Sequence, residues 1–145
     1  MLTVGLIGAG RIGRIHANTI VQYDGSQLVA VADSVYENAK NLAKTYGVNP
    51  RSVDEIFKDN SIESILIASS TDTHSDFIEK ASKAGKAILC EKPVDLSLAR
   101  AKRCLENTKS NEHLIMMGFN RRFDPNFVAL KNALDGGEIL SLIHI

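Results

Sequence analysis

Three glycines and an aspartate near the start of the chain have the spacing needed to hold a diphosphate and a sugar. Gly8-Ala9-Gly10-Arg11-Ile12-Gly13 puts glycines at the first, third and sixth places of a short turn. Gly8 permits a tight turn out of a strand. Gly10 lets a pyrophosphate approach bare backbone, and Gly13 lets the following helix lie close to the strand. A helix starting here turns unpaired N–H groups and the positive end of its dipole towards the phosphates. Asp33 follows Gly13 by about 20 residues, near the spacing at which a carboxylate meets the ribose hydroxyls. A carboxylate there accepts from a 2′-hydroxyl and repels a 2′-phosphate, which favours NAD over NADP.

Three further clusters carry polar chemistry. Ser69-Ser70-Thr71-Asp72-Thr73-His74 offers hydroxyls and a histidine, of which Ser69, Ser70, Thr71 and His74 are candidates for the pyrophosphate and nicotinamide ribose. Helix capping by Thr71 or Thr73 explains part of the same pattern. Lys92 stands between Glu91 and Pro93. The proline fixes its own φ and restricts Lys92 to an extended conformation, which aims the ammonium group. A lysine so placed can orient a substrate hydroxyl and lower its proton affinity. Asn120-Arg121-Arg122 supplies an amide and two cations, with Asn120 and Arg121 as candidates for a cofactor or substrate oxygen. Arg11 and Ile12, inside the glycine turn, complete the candidate cofactor set. Glu91 is included with Lys92. His16, His74, His113 and His144 do not make a metal-ligand spacing, so no metal site is expected. His113 and His144 lie in strand-like runs and read as structural.

Each cluster needs a strand end to present it. Thr3–Ile7, Leu28–Ala32, Ile62–Ala68, Ala87–Cys90 and His113–Phe119 are short apolar runs of the kind found in parallel strands buried on both faces. Helical patterns separate them. The first, Ile12–Ile20, puts Ile12, Ile15, His16, Thr19 and Ile20 on one face. Val35–Tyr46 turns Ala39, Leu42, Ala43 and Tyr46 inward and ends at Gly47. Ser52 and Glu55 form a capping box for a short helix to Phe57. Thr73–Ala84 turns Phe77, Ile78, Ala81 and Ala84 inward, and Leu96–Ser110 is capped by Asp95. Asn49-Pro50 reads as a turn. Asp124 and Pro125 read as N-cap and first residue of a helix to Leu134, and Ile139–Ile145 as a last strand-like run. This alternation predicts an α/β fold, a Rossmann-type doubly wound parallel sheet with right-handed crossovers. In such sheets ligands lie along the carboxyl ends of the strands, where all four polar clusters fall.

The 145 residues are 44% hydrophobic and 23% charged, with a formal net charge of 0. That composition is globular, and the length suits one domain. Balanced charge leaves no electrostatic footprint for nucleic acid or an anionic membrane surface. No apolar run approaches the ~20 residues of a membrane span, and the N-terminus has no signal-peptide pattern. A cytoplasmic protein with free thiols is expected. Cys90, in a buried-looking run, reads as apolar filler.

Taken in order, five segments resemble the N-terminal half of the Gfo/Idh/MocA oxidoreductase family. They are GAGRIGRIHA at Gly8–Ala17, the strand end at Asp33, STDTH at Ser70–His74, EKP at Glu91–Pro93 and GFNRRFDPNF at Gly118–Phe127. The last is most similar to the inositol 2-dehydrogenase branch. The resemblance implies NAD(H) or NADP(H) binding and oxidation of a polyol or sugar hydroxyl, with hydride passing to nicotinamide C4. It implies that Lys92 contacts the reacting hydroxyl and that Asp33 binds ribose. Family members carry a second α/β domain that supplies acid/base groups, most of the substrate pocket and the oligomer interface. By that resemblance, residues 1–135 are the dinucleotide-binding domain and 136–145 begin a substrate domain missing from this chain. The longer protein would be a homo-oligomer, and this portion would bind NAD with little activity. The competing expectation is a non-catalytic NAD-binding module that senses redox state. An aimed Lys92 speaks against it.

Overall fold

The structure is a computed structural model that describes residues 1–110 and 113–138. Six strands form one parallel sheet: β1 (Leu2–Ile7), β2 (Ser26–Ala32), β3 (Asn49–Pro50), β4 (Ser64–Ile67), β5 (Ala87–Cys90) and β6 (Ile115–Met117). Their order is β3-β2-β1-β4-β5-β6. Among the described residues six α-helices accompany them: α1 (Arg11–Gln22), α2 (Tyr36–Tyr46), α3 (Val53–Lys58), α4 (His74–Lys83), α5 (Leu98–Thr108) and α6 (Pro125–Asp135). The strand order reverses direction between β1 and β4. Chain leaving those two strands diverges to opposite faces, which opens a crevice at their carboxyl ends.

Alternation along β1 sends Val4 and Leu6 to one face of the sheet and Ile7 to the other. Val4 and Leu6 pack with Ala17 and Ile20 of α1 and with Ala39, Leu42 and Ala43 of α2. Ile7 joins Ile56 and Phe57 of α3, Ile78 and Ala81 of α4, and Cys104 of α5. Leu6, Ile7, Val31, Ile65 and Ile67 are all fully buried. Each such side chain contributes about 1.5–3 kcal/mol, so the strands around the crevice are firmly anchored.

The capping box of Ser52 with Glu55 is formed, Gly47 ends α2 with φ 67°, and Asp124 caps α6 with Pro125 in its first turn. Four local expectations are corrected. The buried face of α1 is Gly13, Ala17 and Ile20, while Ile12 and Ile15 are exposed. Ile20 turns inward as expected, and the small residues Gly13 and Ala17, in place of Ile12 and Ile15, let this helix approach the sheet. Asn49-Pro50 is a short edge strand paired with Ala30 and Val31, and an edge tolerates proline's missing donor. Helix α5 starts at Leu98, and its cap is Ser97, which accepts from the Arg100 N–H. Asp95 instead accepts from the Ser75 hydroxyl at 2.6 Å and from the Ser97 N–H at 2.9 Å. Ala84 is exposed, because α4 buries His74, Ser75, Ile78, Ala81 and Ser82. The strand-like run Ile139–Ile145 and His144 lie outside the described residues. No helix among the described residues is long and apolar enough to cross a membrane.

Candidate functional site

The turn after β1 is shaped by contacts that only glycine permits. Gly8 has φ 106°, and a Cβ there would lie 2.4 Å from the carbonyl carbon of Ala68. A Cβ on Gly13 would lie 1.9 Å from the Gly8 oxygen. The start of α1 and the end of β4 thus close directly onto the turn. Gly10 differs: it faces open space, with no atom within 4 Å of a Cβ position. As the N-cap of α1 it provides no side-chain capping bond, so the first-turn N–H groups lack that satisfaction. Asp33, at the end of β2, braces the turn. Its Oδ2 accepts from the Ala9 N–H at 2.7 Å and its Oδ1 from the Val35 N–H at 2.8 Å.

These residues wall a cleft of about 400 Å³, whose lining includes Gly8, Gly10, Arg11, Ile12, Asp33, Ser34, Ser69 and Ser70. Its size falls within the range of small-molecule sites. Val53 and Phe77 add apolar lining. The β4 side is ordered by hydroxyls. Ser69 Oγ and Thr73 Oγ1 are 2.7 Å apart, and Thr73 also donates to the Ser70 carbonyl at 2.7 Å. Thr71 begins a 3-10 turn and His74 is buried; neither lines the cleft. His74 Nδ1 is 2.7 Å from the Pro93 oxygen and Nε2 is 3.1 Å from the Ser69 oxygen. The ring therefore joins the loops that leave β4 and β5.

Lys92 opens onto a second hollow of about 380 Å³, shared with Phe119, Asn120, Arg121 and Arg122. The Lys92–Pro93 peptide bond is cis. The Arg121 guanidinium stacks 4.7 Å from the Phe127 ring centre. Glu91 lines neither hollow and pairs with His16 on α1, Oε1 to Nε2 2.7 Å. Sequence reasoning missed that pair, because 75 positions separate the partners. The carboxyl edge thus carries two groups: glycine turn, Asp33, Ser69 and Ser70 around one cleft, and Lys92, Asn120 and Arg121 around the other. Cys90 and Cys104 are free and buried. Burial, with Cys104 and Glu91 adding to it, pushes the Cys90 thiol up to about 12, and burial lifts Cys104 to about 11. Both are thiols near neutral pH, which disfavours either as a nucleophile.

The architecture and the bare-backbone turn are those of a dinucleotide fold, and comparison with known proteins agrees. The model of an oxidoreductase family with an NAD-binding Rossmann fold, Gfo/Idh/MocA, matches residues 2–119. This chain belongs to the Gfo/Idh/MocA family. Inositol 2-dehydrogenase of Rhizobium meliloti is 45% identical over 135 residues, 93% of this chain and 41% of that protein. The crystal structure of a myo-inositol dehydrogenase from Corynebacterium glutamicum matches with a TM-score of 0.88 at 40% identity. It covers 96% of this chain and 42% of that one. A myo-inositol dehydrogenase from Lactobacillus casei, solved in complex with NAD(H) and myo-inositol, gives a TM-score of 0.88 at 30% identity. Its match covers 94% of this chain and 42% of its own. The chain spans about two-fifths of the length of the curated relatives it matches.

A Gfo/Idh/MocA cofactor domain must accept a diphosphate against backbone and a ribose against a carboxylate. The residues present fit that requirement. Gly10 leaves its side of the turn unobstructed, the N-cap position adds no competing side chain, and Asp33 is already anchored at the cleft.

Proposed function

We propose that this chain is the dinucleotide-binding part of a cytoplasmic, NAD-dependent dehydrogenase that oxidises a polyol or sugar hydroxyl, in the manner of an inositol 2-dehydrogenase. The observation that carries this reading is that the glycine cleft and the hollow onto which Lys92 opens lie at strand ends of one sheet, with His74 joining the loops after the neighbouring strands β4 and β5. Similarity to an inositol 2-dehydrogenase along 93% of the chain supports it.

In this reading Gly8, Gly10, Arg11, Ile12 and Gly13 hold the diphosphate, and Asp33 accepts from the ribose and disfavours NADP. Ser69 and Ser70 flank the pyrophosphate and nicotinamide ribose, and Thr71 begins the turn that follows them. His74 holds their loop, Glu91 supports the Lys92 segment through its pair with His16, and Asn120 and Arg121 border the nicotinamide end. NAD, when bound, supplies the hydride acceptor. Lys92 orients the reacting hydroxyl and, as a cation, lowers its proton affinity. Residues 1–135 form this domain and 136–145 lead into a second one, which provides the acid/base groups, most of the substrate pocket and a homo-oligomer interface.

The test is to incubate the purified chain with NAD and myo-inositol, following NADH formation and NAD binding together. Expected is saturable NAD binding with no turnover above background. Rapid turnover would overturn the assignment of the acid/base groups to a second domain. Absence of NAD binding would overturn the whole reading.

A further inference from the structure

Lys92 stands between two residues that are each held by a histidine from a different helix. Behind it, the Glu91 carboxylate meets His16 Nε2 of α1 at 2.7 Å. Ahead of it, the Pro93 carbonyl meets His74 Nδ1 of α4 at 2.7 Å. The two contacts differ in kind. His74 is fully buried and also bridges to Ser69, so it belongs to the framework. His16 and Glu91 are each about a quarter exposed, 24% and 22%. Their bond closes no helix and no sheet ladder. Glu91 also lies against Gly118, where a Cβ would come to 3.3 Å from the carboxylate. Gly118 in turn donates its N–H to the Cys90 oxygen at 2.7 Å.

We propose that His16 is a positioning residue for Lys92: through Glu91 it fixes the backbone that presents the ammonium to the hollow bordered by Asn120 and Arg121. The proposal rests on the reading of Lys92 as the residue that meets the reacting hydroxyl. The Lys92 side chain is exposed, so packing does not set its direction and its backbone must. A lysine stem is flexible, and an error of about 1 Å in placing a catalytic group can cost on the order of 100-fold in rate. A strut from α1 restrains the segment at the residue just before the lysine. It also ties that segment to the helix whose first turn borders the glycine cleft, so both halves of the site share one reference.

The test reads Lys92 directly in the chain labelled with 13C at lysine Cε, with K92R used to assign its NMR signal. Lys86 provides an internal control. It is buried, and its Nζ donates to the Asp59 and Ile62 carbonyls at 2.6 and 2.7 Å, so its displaced signal reports an intact fold. Expected in the wild type is a Lys92 signal displaced from those of the other exposed lysines. In H16A and E91A it should collapse into that group while Lys86 stays in place. In H16Q, whose amide N–H can still donate to Glu91, it should be retained. NAD affinity should change by less than about threefold in H16A, as for a substitution outside the cofactor contacts. A Lys92 signal that is undisplaced in the wild type, or unmoved in H16A with Lys86 intact, overturns the proposal. If H16A loses the Lys86 signal, E91A decides in the same way. Failure of the chain to bind NAD would strike the proposed function and leave the lysine spectra to be judged alone.

Discussion

The Asp33 carboxylate accepts a hydrogen bond from the backbone N–H of Ala9 at 2.7 Å. This contact crosses from the end of β2 to the second residue of the glycine turn, so one side chain both braces the turn and borders the cleft. The other oxygen is held by the Val35 N–H, which fixes the carboxylate before any ligand arrives.

Asp33→Ala should therefore have two effects. Loss of the acceptor leaves the Ala9 N–H unpaired and costs about 1–3 kcal/mol of stability, read as a shift in urea midpoint. Loss of the negative charge should shrink the preference for NAD over NADP by about tenfold or more, corresponding to at least 1.4 kcal/mol. Binding titrations with both coenzymes check this. A wild-type chain that already binds NADP as tightly as NAD would contradict the role given to Asp33.

The three glycines of the turn should separate cleanly under substitution. Gly13→Ala forces a Cβ to 1.9 Å from the Gly8 oxygen and should destabilise by about 1–3 kcal/mol or more. Gly8→Ala meets both a 2.4 Å clash and a positive φ, and should be at least as harmful. Gly10 has φ −72° and open space around it, so Gly10→Ala should melt like the wild type. If the diphosphate lies against that bare backbone, its NAD affinity should nonetheless fall by about tenfold or more, about 1.4 kcal/mol. Thermal melts paired with binding titrations distinguish the three.

Much of this was legible in the sequence because the signals were local. Val4-Gly5-Leu6-Ile7, Ile65-Leu66-Ile67 and Ala87–Cys90 are short apolar runs bounded by polar turns, and each became a strand of the parallel sheet. The glycine turn and Asp33 lie within one strand–helix–strand unit, so their meeting needs no distant partner. What was not legible depended on tertiary choice. Helix α1 could have turned Ile12 and Ile15 inward beside Ile20. Gly13 and Ala17 took that place because close approach to the sheet favours small side chains. Asp95 was drawn to Ser75, 20 residues away, leaving the cap of α5 to Ser97. The pairing of His16 with Glu91 had no local trace at all.

The two thiols set an alkaline limit. In the unfolded chain a cysteine titrates near 9.0, whereas burial holds Cys90 up to about 12 and Cys104 up to about 11. A folded pKa above the unfolded value gives stability that is complete below about pH 9 and lost as pH rises towards 12. Urea midpoints should fall across that window, and C90A should flatten the fall. Near neutral pH, Ellman's reagent should label the native chain about 100-fold more slowly than the chain in denaturant.

Asp59 works at the other end of the scale. A hydrogen bond from the Ser61 hydroxyl, followed by the Arg51 guanidinium, holds its carboxyl down to about 2 from 3.8. A lowered folded pKa gives stability that is present above about pH 4 and lost as pH falls towards 2. The urea midpoint of D59N should lie below the wild type at neutral pH and converge with it in acid. Parallel curves across that range would remove the assigned linkage.

The most direct measurement is equilibrium dialysis of the folded chain against labelled NAD and, separately, labelled NADP. Expected is saturation at one NAD per chain, with NADP bound more weakly and NAD binding reduced in Gly10→Ala at unchanged melting temperature. No retained NAD, or NAD retained equally by wild type and Gly10→Ala, would contradict the placement of the cofactor at the glycine turn.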